Sequence, residues 1–481
     1  MKSQVFNPFL PSWEYVPDGE PRVFEGRLYL YGSHDAFHGA DFCVNYYICW
    51  SAPVDDLSDW RFEGTIYRKD QDPRNTDGKM NMCAPDCVQG PDGRYYLYYQ
   101  LHMLQCTCVA VSDSPAGPFD YYGCVRHPDG TPWGERKGDS FVFDPGVLVD
   151  DDGRVYLYAG FAPLGIMRTV FHMRGNRVEE SVCLELEPDM ITVRGEEHPI
   201  VPGHKAARGT EYAGHGFFEA SSIRKIAGRY YYVYSSELSH ELCYAVSDTP
   251  TGGFRYKGTL VSIADIGCRG ISEPQNYTGN THGGMVEVNG QWYIFYHRQT
   301  DRVKCSRQAC AEKITIQPDG SIAQAEVTSC GLNDGPLAGK GRYEARIACN
   351  LGARKPLPKS DIALKKDKKN LLPYFTQSGE DREENPDQYL ANVQSGSWCG
   401  FKYFRFDGSE NCLRVTVRGT GEGTIRFFTD RSLPAIGSAR IQGSPDWTSY
   451  SGEIKLPAGT SPLFFVYEGT GSVDFKEFEI I

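Results

Sequence analysis

Gly93-Arg94-Tyr95-Tyr96-Leu97-Tyr98 decides the fold: a turn glycine followed by an aromatic and leucine run is the pattern of a hairpin entering a buried strand. The pattern returns at Gly26-Arg-Leu-Tyr-Leu-Tyr, Gly153-Arg-Val-Tyr-Leu-Tyr, Gly228-Arg-Tyr-Tyr-Tyr-Val and Gly290-Gln-Trp-Tyr-Ile-Phe. The five glycines are 67, 60, 75 and 62 residues apart, room each time for a four-stranded sheet plus a loop, whereas the common helical repeats are shorter and carry a 3.6-residue period. A second signal follows three of the copies: SAPVDDLSDWRFEG from Ser51, VSDSPAGPFDYYG from Val111 and VSDTPTGGFRYKG from Val246 share a serine, a proline, an aromatic and a closing glycine. Five near-equal repeats of strand-and-turn text predict an all-β chain whose first part, residues 1–335, is a five-bladed β-propeller with each innermost strand lining a central channel.

Near residue 340 the repeat stops, and the lysine-rich Leu364–Asn370 reads as a loop. Beyond it come short alternating stretches, among them CLRVTVRG, GTIRFFTD and SPLFFVYEG, separated by Gly, Asp and Pro at roughly ten-residue spacing. Residues 336–481 therefore read as a β-sandwich.

Composition excludes several classes of function. The net charge is −12, from 50 Lys and Arg against 62 Asp and Glu, and no basic run offers a track for nucleic acid. No stretch approaches 18 uncharged apolar residues and the opening lacks the apolar core of a signal peptide, so the chain is expected to be cytoplasmic, with no membrane and no nucleic acid among its partners. Most of the 16 cysteines sit singly inside apolar strand-like runs, which fits reduced thiols. Neither Cys83 with Cys87 nor Cys305 with Cys310 has a matched second pair, so no zinc site is expected. The 30 tyrosines suit either strand surfaces or sugar binding.

Polar groups recur just ahead of each hairpin glycine. Asp18 lies 8 residues before Gly26, Asp86 lies 7 before Gly93, Asp144 lies 9 before Gly153, Glu219 lies 9 before Gly228 and His282 lies 8 before Gly290. In a propeller these positions converge on the channel, where burial and like charge push pKa values apart, as acid/base chemistry requires. Asp86 and His282 are candidate substrate-binding groups in this set, and His34 and Asp35, following the first strand, are candidates for the pocket rim or for a hydrogen-bonded turn.

At these residues the chain resembles glycoside hydrolase family 43, five-bladed propellers acting on arabinose- and xylose-containing glycans. Asn7-Pro-Phe-Leu-Pro followed by Pro17-Asp18 resembles the segment of the general base, Phe143-Asp144-Pro145 that of a carboxylate tuning the acid, Phe218-Glu219-Ala220 that of the general acid, His282-Gly-Gly-Met that of a histidine facing a channel ion or water, and Arg307-Gln-Ala-Cys that of a sugar-binding arginine. The sequence departs from the family after the base, where Gly19-Glu20-Pro21 leaves Glu20 as a second candidate, and after the acid, where Ala220-Ser221 stands. The resemblance implies an inverting exo-glycosidase removing terminal α-L-arabinofuranosyl or β-D-xylosyl units from oligosaccharides. It implies no organic cofactor, and His282 as the residue meeting any structural Ca²⁺. Asp144 is expected to stay ionised and to help Phe217 and Phe218 keep Glu219 protonated. A noncatalytic glycan-binding propeller and a glycosidase for another sugar, such as galactose, are the alternatives. Gly396-Ser-Trp-Cys-Gly-Phe, Asp446-Trp447 and Gly471-Ser-Val-Asp-Phe resemble carbohydrate-binding module family 6, with Trp398, Trp447 and Tyr450 either stacking on sugar or packing as core and interface aromatics.

Overall fold

The computed structural model describes residues 4–359, 367 and 370–481, apart from 103 and 174, so only Asp367 and Asn370 of the lysine-rich segment are described. Each repeat is one antiparallel sheet, four-stranded in the first four blades and three-stranded in the fifth. The innermost strands are Glu20–Phe24, Met82–Gln89, Gly146–Val149, Phe217–Ile226 and Met285–Val288, and the tyrosine-rich runs are the second strands. Three of the joining turns have two residues, Glu25-Gly26, Ala227-Gly228 and Asn289-Gly290, both with positive φ, the backbone that matches strand twist.

The second strands are sandwiched between blades, which explains their composition. Tyr95–Leu101 is buried at every position. Burying a tyrosine requires a partner for its hydroxyl, and for two of them the partner is a loop of the next blade: Tyr31 donates to the carbonyl of Pro115 at 2.6 Å and Tyr158 to that of Pro250 at 2.6 Å. In two of the three copies the proline of the second sequence signal is thus a latch between blades, and much of the tyrosine excess is structural. The ring closes without a covalent link. Asn7 exchanges hydrogen bonds with Ala311 on the last strand of blade 5 (2.9 and 3.0 Å), and Phe9 N–H donates to the carbonyl of Ala309.

The last blade strand ends at Ile314 and the next strand, Leu337–Ala338, already pairs with Trp398–Phe406 in a sandwich of two six-stranded sheets. Phe401, Phe404, Phe465 and Phe478 fill its core. Buried polar contacts join it to the propeller: Lys402 Nζ meets Asp265 (2.8 Å) and Glu326 (3.0 Å), and Arg298 donates to the carbonyls of Ala348 and Arg346. Trp398 lies under the Arg431 guanidinium (3.4 Å) and Trp447 under that of Arg418 (4.3 Å), while the Tyr450 hydroxyl donates to the carbonyl of Gln442. Both indoles are engaged within the domain. Among the described residues no helix is long and apolar enough to cross a membrane.

Candidate active site

A cavity of about 630 Å³ opens at the upstream ends of the innermost strands, lined by Asp18, Asp144, Glu219, His282 and Arg307 among others. Asp18 and Asp144 stand just before the strands of blades 1 and 3, and both adopt left-handed backbone (φ 56° and 52°). Aspartate tolerates that conformation better than most residues, and such strain collects at functional sites. In blade 4 a bulge between Glu219 and Ser222, with Ala220 at φ 69°, re-aims the strand and turns Glu219 into the same cavity.

Asp18 is held charged. Burial is the largest influence and opposes the charge, but the Arg307 guanidinium, 2.9 Å from Oδ1, together with smaller contributions from His297, His282 and Ser33 holds the carboxyl below its ordinary range. Arg307 is itself fixed by Asp35, which accepts from Nε at 2.8 Å and Nη2 at 3.0 Å, and its Nη2 lies 3.4 Å from Cys43 Sγ. The Asp18 N–H donates to His297 Nδ1 at 3.1 Å, and His297 Nε2 bonds the carbonyl of Asn280 at 2.8 Å. Burial drives His297 down to about 3, so the ring is neutral and its tautomer is set by those two partners.

Glu219 behaves in the opposite way. Burial first and the Asp18 charge second push it up to about 8. Asp144 is also raised well above the carboxylate range, by burial and then by Glu219 and Asp18, which corrects the expectation that it stays ionised by default. The two together keep a proton at neutral pH. The Ala220 N–H, 3.1 Å from Asp144 Oδ2, opposes the rise at Asp144 without cancelling it. His282 has Nδ1 3.6 Å from Asp144 Oδ2 and is lowered to about 4 by burial, so it too is neutral.

Several sequence candidates fall outside the cavity lining. Asp86 sits inside its strand rather than ahead of it, nearer its hairpin glycine than the others, and lies in the channel core, ion-paired with Arg22 (2.9 and 2.5 Å) and accepting the Val147 N–H. Glu20 is there as well, paired with Arg224 at 2.9 Å. These two ion pairs fill the channel beneath the cavity, and of the two candidate bases only Asp18 reaches the site. His34 points away, to Glu14 (3.1 Å), the carbonyl of Tyr46 (3.0 Å) and Arg382 (2.6 Å). Side chains alternate along extended chain, so its neighbour Asp35 takes the position behind Arg307. Asp35, a rim candidate with His34, stands behind Arg307 instead of on the cavity lining, and Cys43 and His297 are contributors the sequence reading did not assign; the strand after Gly290 ends in His297-Arg298-Gln299, a polar run after apolar residues that marked the place.

Among the described residues, the group able to present three ligand-type atoms to one ion is His215, Glu241 and Cys243, where Glu241 already accepts from His215, Ser236 and Thr259. In the channel, His282 Nε2 is buried without a hydrogen-bond partner. That orphaned atom suits a water, or an ion that keeps most of its own water shell, since Ca²⁺ prefers six to eight oxygen ligands.

Residues 8–322 match the family described as glycosyl hydrolases family 43. Over the whole chain the sequence is 48% identical to a xylosidase/arabinosidase of Thermoclostridium stercorarium, covering 100% of this chain and 99% of that protein. It is 31% identical to a xylosidase/arabinosidase of Bacteroides ovatus, over 60% of this chain and 87% of that one. Among solved structures, the GH43_1 enzyme of Xanthomonas citri with xylose aligns with TM-score 0.52 and 26% identity, over 67% of this chain and 93% of its own. An arabinoxylan arabinofuranohydrolase of Bacillus subtilis shares the fold along 98% of this chain and 97% of its own, at TM-score 0.51 and 21% identity.

Proposed function

The chain belongs to glycosyl hydrolase family 43, and from that premise we propose that it removes terminal α-L-arabinofuranosyl or β-D-xylosyl units from plant-type oligosaccharides with inversion at the anomeric carbon. The observation that carries this reading is the split in proton affinity within one cavity. Asp18 is kept ionised by Arg307 while Glu219 is kept protonated by burial, as a base and an acid at neutral pH require. Asp18 takes a proton from the attacking water and Glu219 gives one to the leaving oxygen, the division of labour of an inverting enzyme. A protein that only bound glycans would have no need for a carboxylic acid held neutral. The two ion pairs close the channel beneath the cavity. The relatives named above as xylosidase/arabinosidase support a pentose.

The test is a panel of aryl α-L-arabinofuranoside, β-D-xyloside and β-D-galactoside, followed by proton NMR at early times. Hydrolysis of the pentosides with initial release of the inverted anomer is expected; preference for the galactoside, or retention, would overturn the reading. No organic cofactor takes part in such a reaction. If Ca²⁺ binds in the channel, His282 Nε2 and water would hold it, and its charge would favour the ionised form of Asp144.

The sandwich domain has a place in this function without lining the cavity. Asp41, Phe42 and Cys43 reach the cavity from the loop after the first tyrosine-rich strand. The sandwich grips that loop and its support: Asp381 accepts the Phe37 N–H at 2.7 Å, Gln377 accepts from Tyr15 at 2.7 Å, and Arg382 meets Glu14 at 2.9 Å. Deleting residues 336–481 also leaves Asp265, wholly buried, without Lys402, and breaking a buried pair costs about 3–5 kcal/mol. The isolated propeller is therefore expected to melt at lower temperature and to lose kcat/KM on short oligosaccharides. Loss of polymer binding alone, with melting and oligosaccharide activity intact, would contradict a buttressing role.

A further inference from the structure

We propose that blade 4 carries a zinc site built by His215, Glu241 and Cys243, none of which lines the catalytic cavity. Glu241 and Cys243 stand two residues apart on the strand Glu241–Ser247, so their side chains leave it on one face. His215 reaches that face from the loop ahead of Phe217–Ile226, and the Tyr234 hydroxyl fixes this loop by donating to the His215 carbonyl at 2.8 Å. His215 Nδ1 lies 2.7 Å from Glu241 Oε1, and Cys243 Sγ lies 3.3 Å from the same oxygen and 3.8 Å from Nδ1. Imidazole, carboxylate and thiolate are the three ligand types that zinc takes.

The separations suit one ion. Bonds of about 2.0–2.3 Å in a tetrahedron set ligand atoms about 3.3–3.6 Å apart. The sulfur already stands near those distances from both partners, and opening the His215–Glu241 contact by about 0.6 Å completes the set. His215 is the member able to make that shift, since its side chain is 33% exposed against 4% for Glu241. The same exposure gives the ion a way in and leaves room for a water as fourth ligand.

The surroundings orient the ligands. Thr259 Oγ1 donates to Glu241 Oε2 at 3.0 Å and Ser236 Oγ to Oε1 at 2.7 Å, so the carboxylate is held while Oε1 exchanges its hydrogen bond from His215 for the ion. Tyr256 stacks on the His215 ring, 5.1 Å between centroids, and sets its plane. A carboxylate and a thiolate balance the two charges of Zn²⁺, and the thiol proton passes to solvent as the metal binds. Hydrogen bonding alone accounts for His215 and Glu241 but gives little use to the sulfur, because a thiol is a weak partner. The search for paired cysteines passes this site over, since it holds one residue of each type and His215 lies 26 residues from Glu241 in the chain. The ion would brace the approach to the acid strand: Gly216, next to His215, donates to Glu237 on the cavity lining at 3.2 Å.

The experiment is equilibrium dialysis of the full chain, first freed of metal with chelator, against Zn²⁺, with Co²⁺ as a spectroscopic probe. Zinc is expected to bind and to raise the melting temperature by roughly 3–6 °C at a hundredfold excess over Kd. Co²⁺ is expected to give a sulfur-to-metal charge-transfer band in the near ultraviolet that Cys243→Ser abolishes. His215→Gln removes the most exposed ligand and is expected to weaken zinc at least about 100-fold, and Thr259→Val, which keeps all three ligands, about tenfold. Melting of each metal-free variant checks its folding. Should Cys243→Ser fail to fold, the cobalt band of the native chain and its loss in His215→Gln decide the matter. No zinc bound, a cobalt spectrum without the sulfur band, a band that survives in Cys243→Ser, or zinc held equally by His215→Gln would each overturn the proposal and leave the three residues as a hydrogen-bonded cluster. The glycosidase assays do not enter this test, so the two readings stand or fall separately.

Discussion

Asp18→Asn is expected to lower kcat by about 10² to 10⁴ on every substrate, aryl glycosides included, because a good leaving group does not relieve the need to activate water. The substitution keeps the shape of the side chain and removes its charge. Arg307 remains bound to Asp35 through Nε and Nη2, so the cavity is expected to keep its form and the melting temperature to move little. A second readout separates loss of a base from general damage. The Asp18 charge is one of the two causes that raise Glu219, so removing it lets the Glu219 pKa fall and moves the alkaline limb of the residual activity to lower pH. Azide, a nucleophile that needs no deprotonation, should restore turnover and give a glycosyl azide of inverted configuration. Near-normal rates in Asp18→Asn would remove it from the base role. Glu20 is not placed to inherit that role, since it is locked to Arg224 in the channel core.

The fold was legible because five copies of one local rule, a turn glycine before a run with strand propensity, leave few architectures open. What the spacing did not carry is depth along the axis. Asp86 and Asp18 are 7 and 8 residues ahead of their glycines, yet one is a channel ion pair and the other a cavity carboxylate. The difference lies in where each strand starts and where it bulges, and bulges depend on contacts between blades. Glu219 is turned into the cavity by such a bulge. Arg307 was legible only through the resemblance, and its support by Asp35 was hidden, because 272 residues separate the two and only ring closure brings them together. The proton affinity of Asp144 was misjudged for a related reason: its environment is set by Glu219 and Asp18 from two other blades.

Glu219→Gln is expected to lose about 10² to 10⁴ in kcat/KM on oligosaccharides and alkyl glycosides, whose leaving oxygen must be protonated as the bond breaks. Nitrophenyl glycosides should retain far more activity, since that leaving group departs without a proton. The pH profile gives the sign. In the native enzyme Glu219 must be protonated and Asp18 ionised, so activity falls as pH rises through the Glu219 value near 8 and falls again at acid pH as Asp18, held low by Arg307, takes up its proton. Glutamine does not titrate, so the alkaline limb should vanish from the residual aryl-glycosidase activity while the acid limb stays. The neighbouring Asp144→Asn offers a contrast. It removes a group coupled to Glu219 but leaves the donor in place, so an alkaline limb should persist at a shifted pH. An alkaline limb unchanged in Glu219→Gln would show that the proton comes from another group, with Asp144 the first to test, because it shares the cavity and is raised by the same burial.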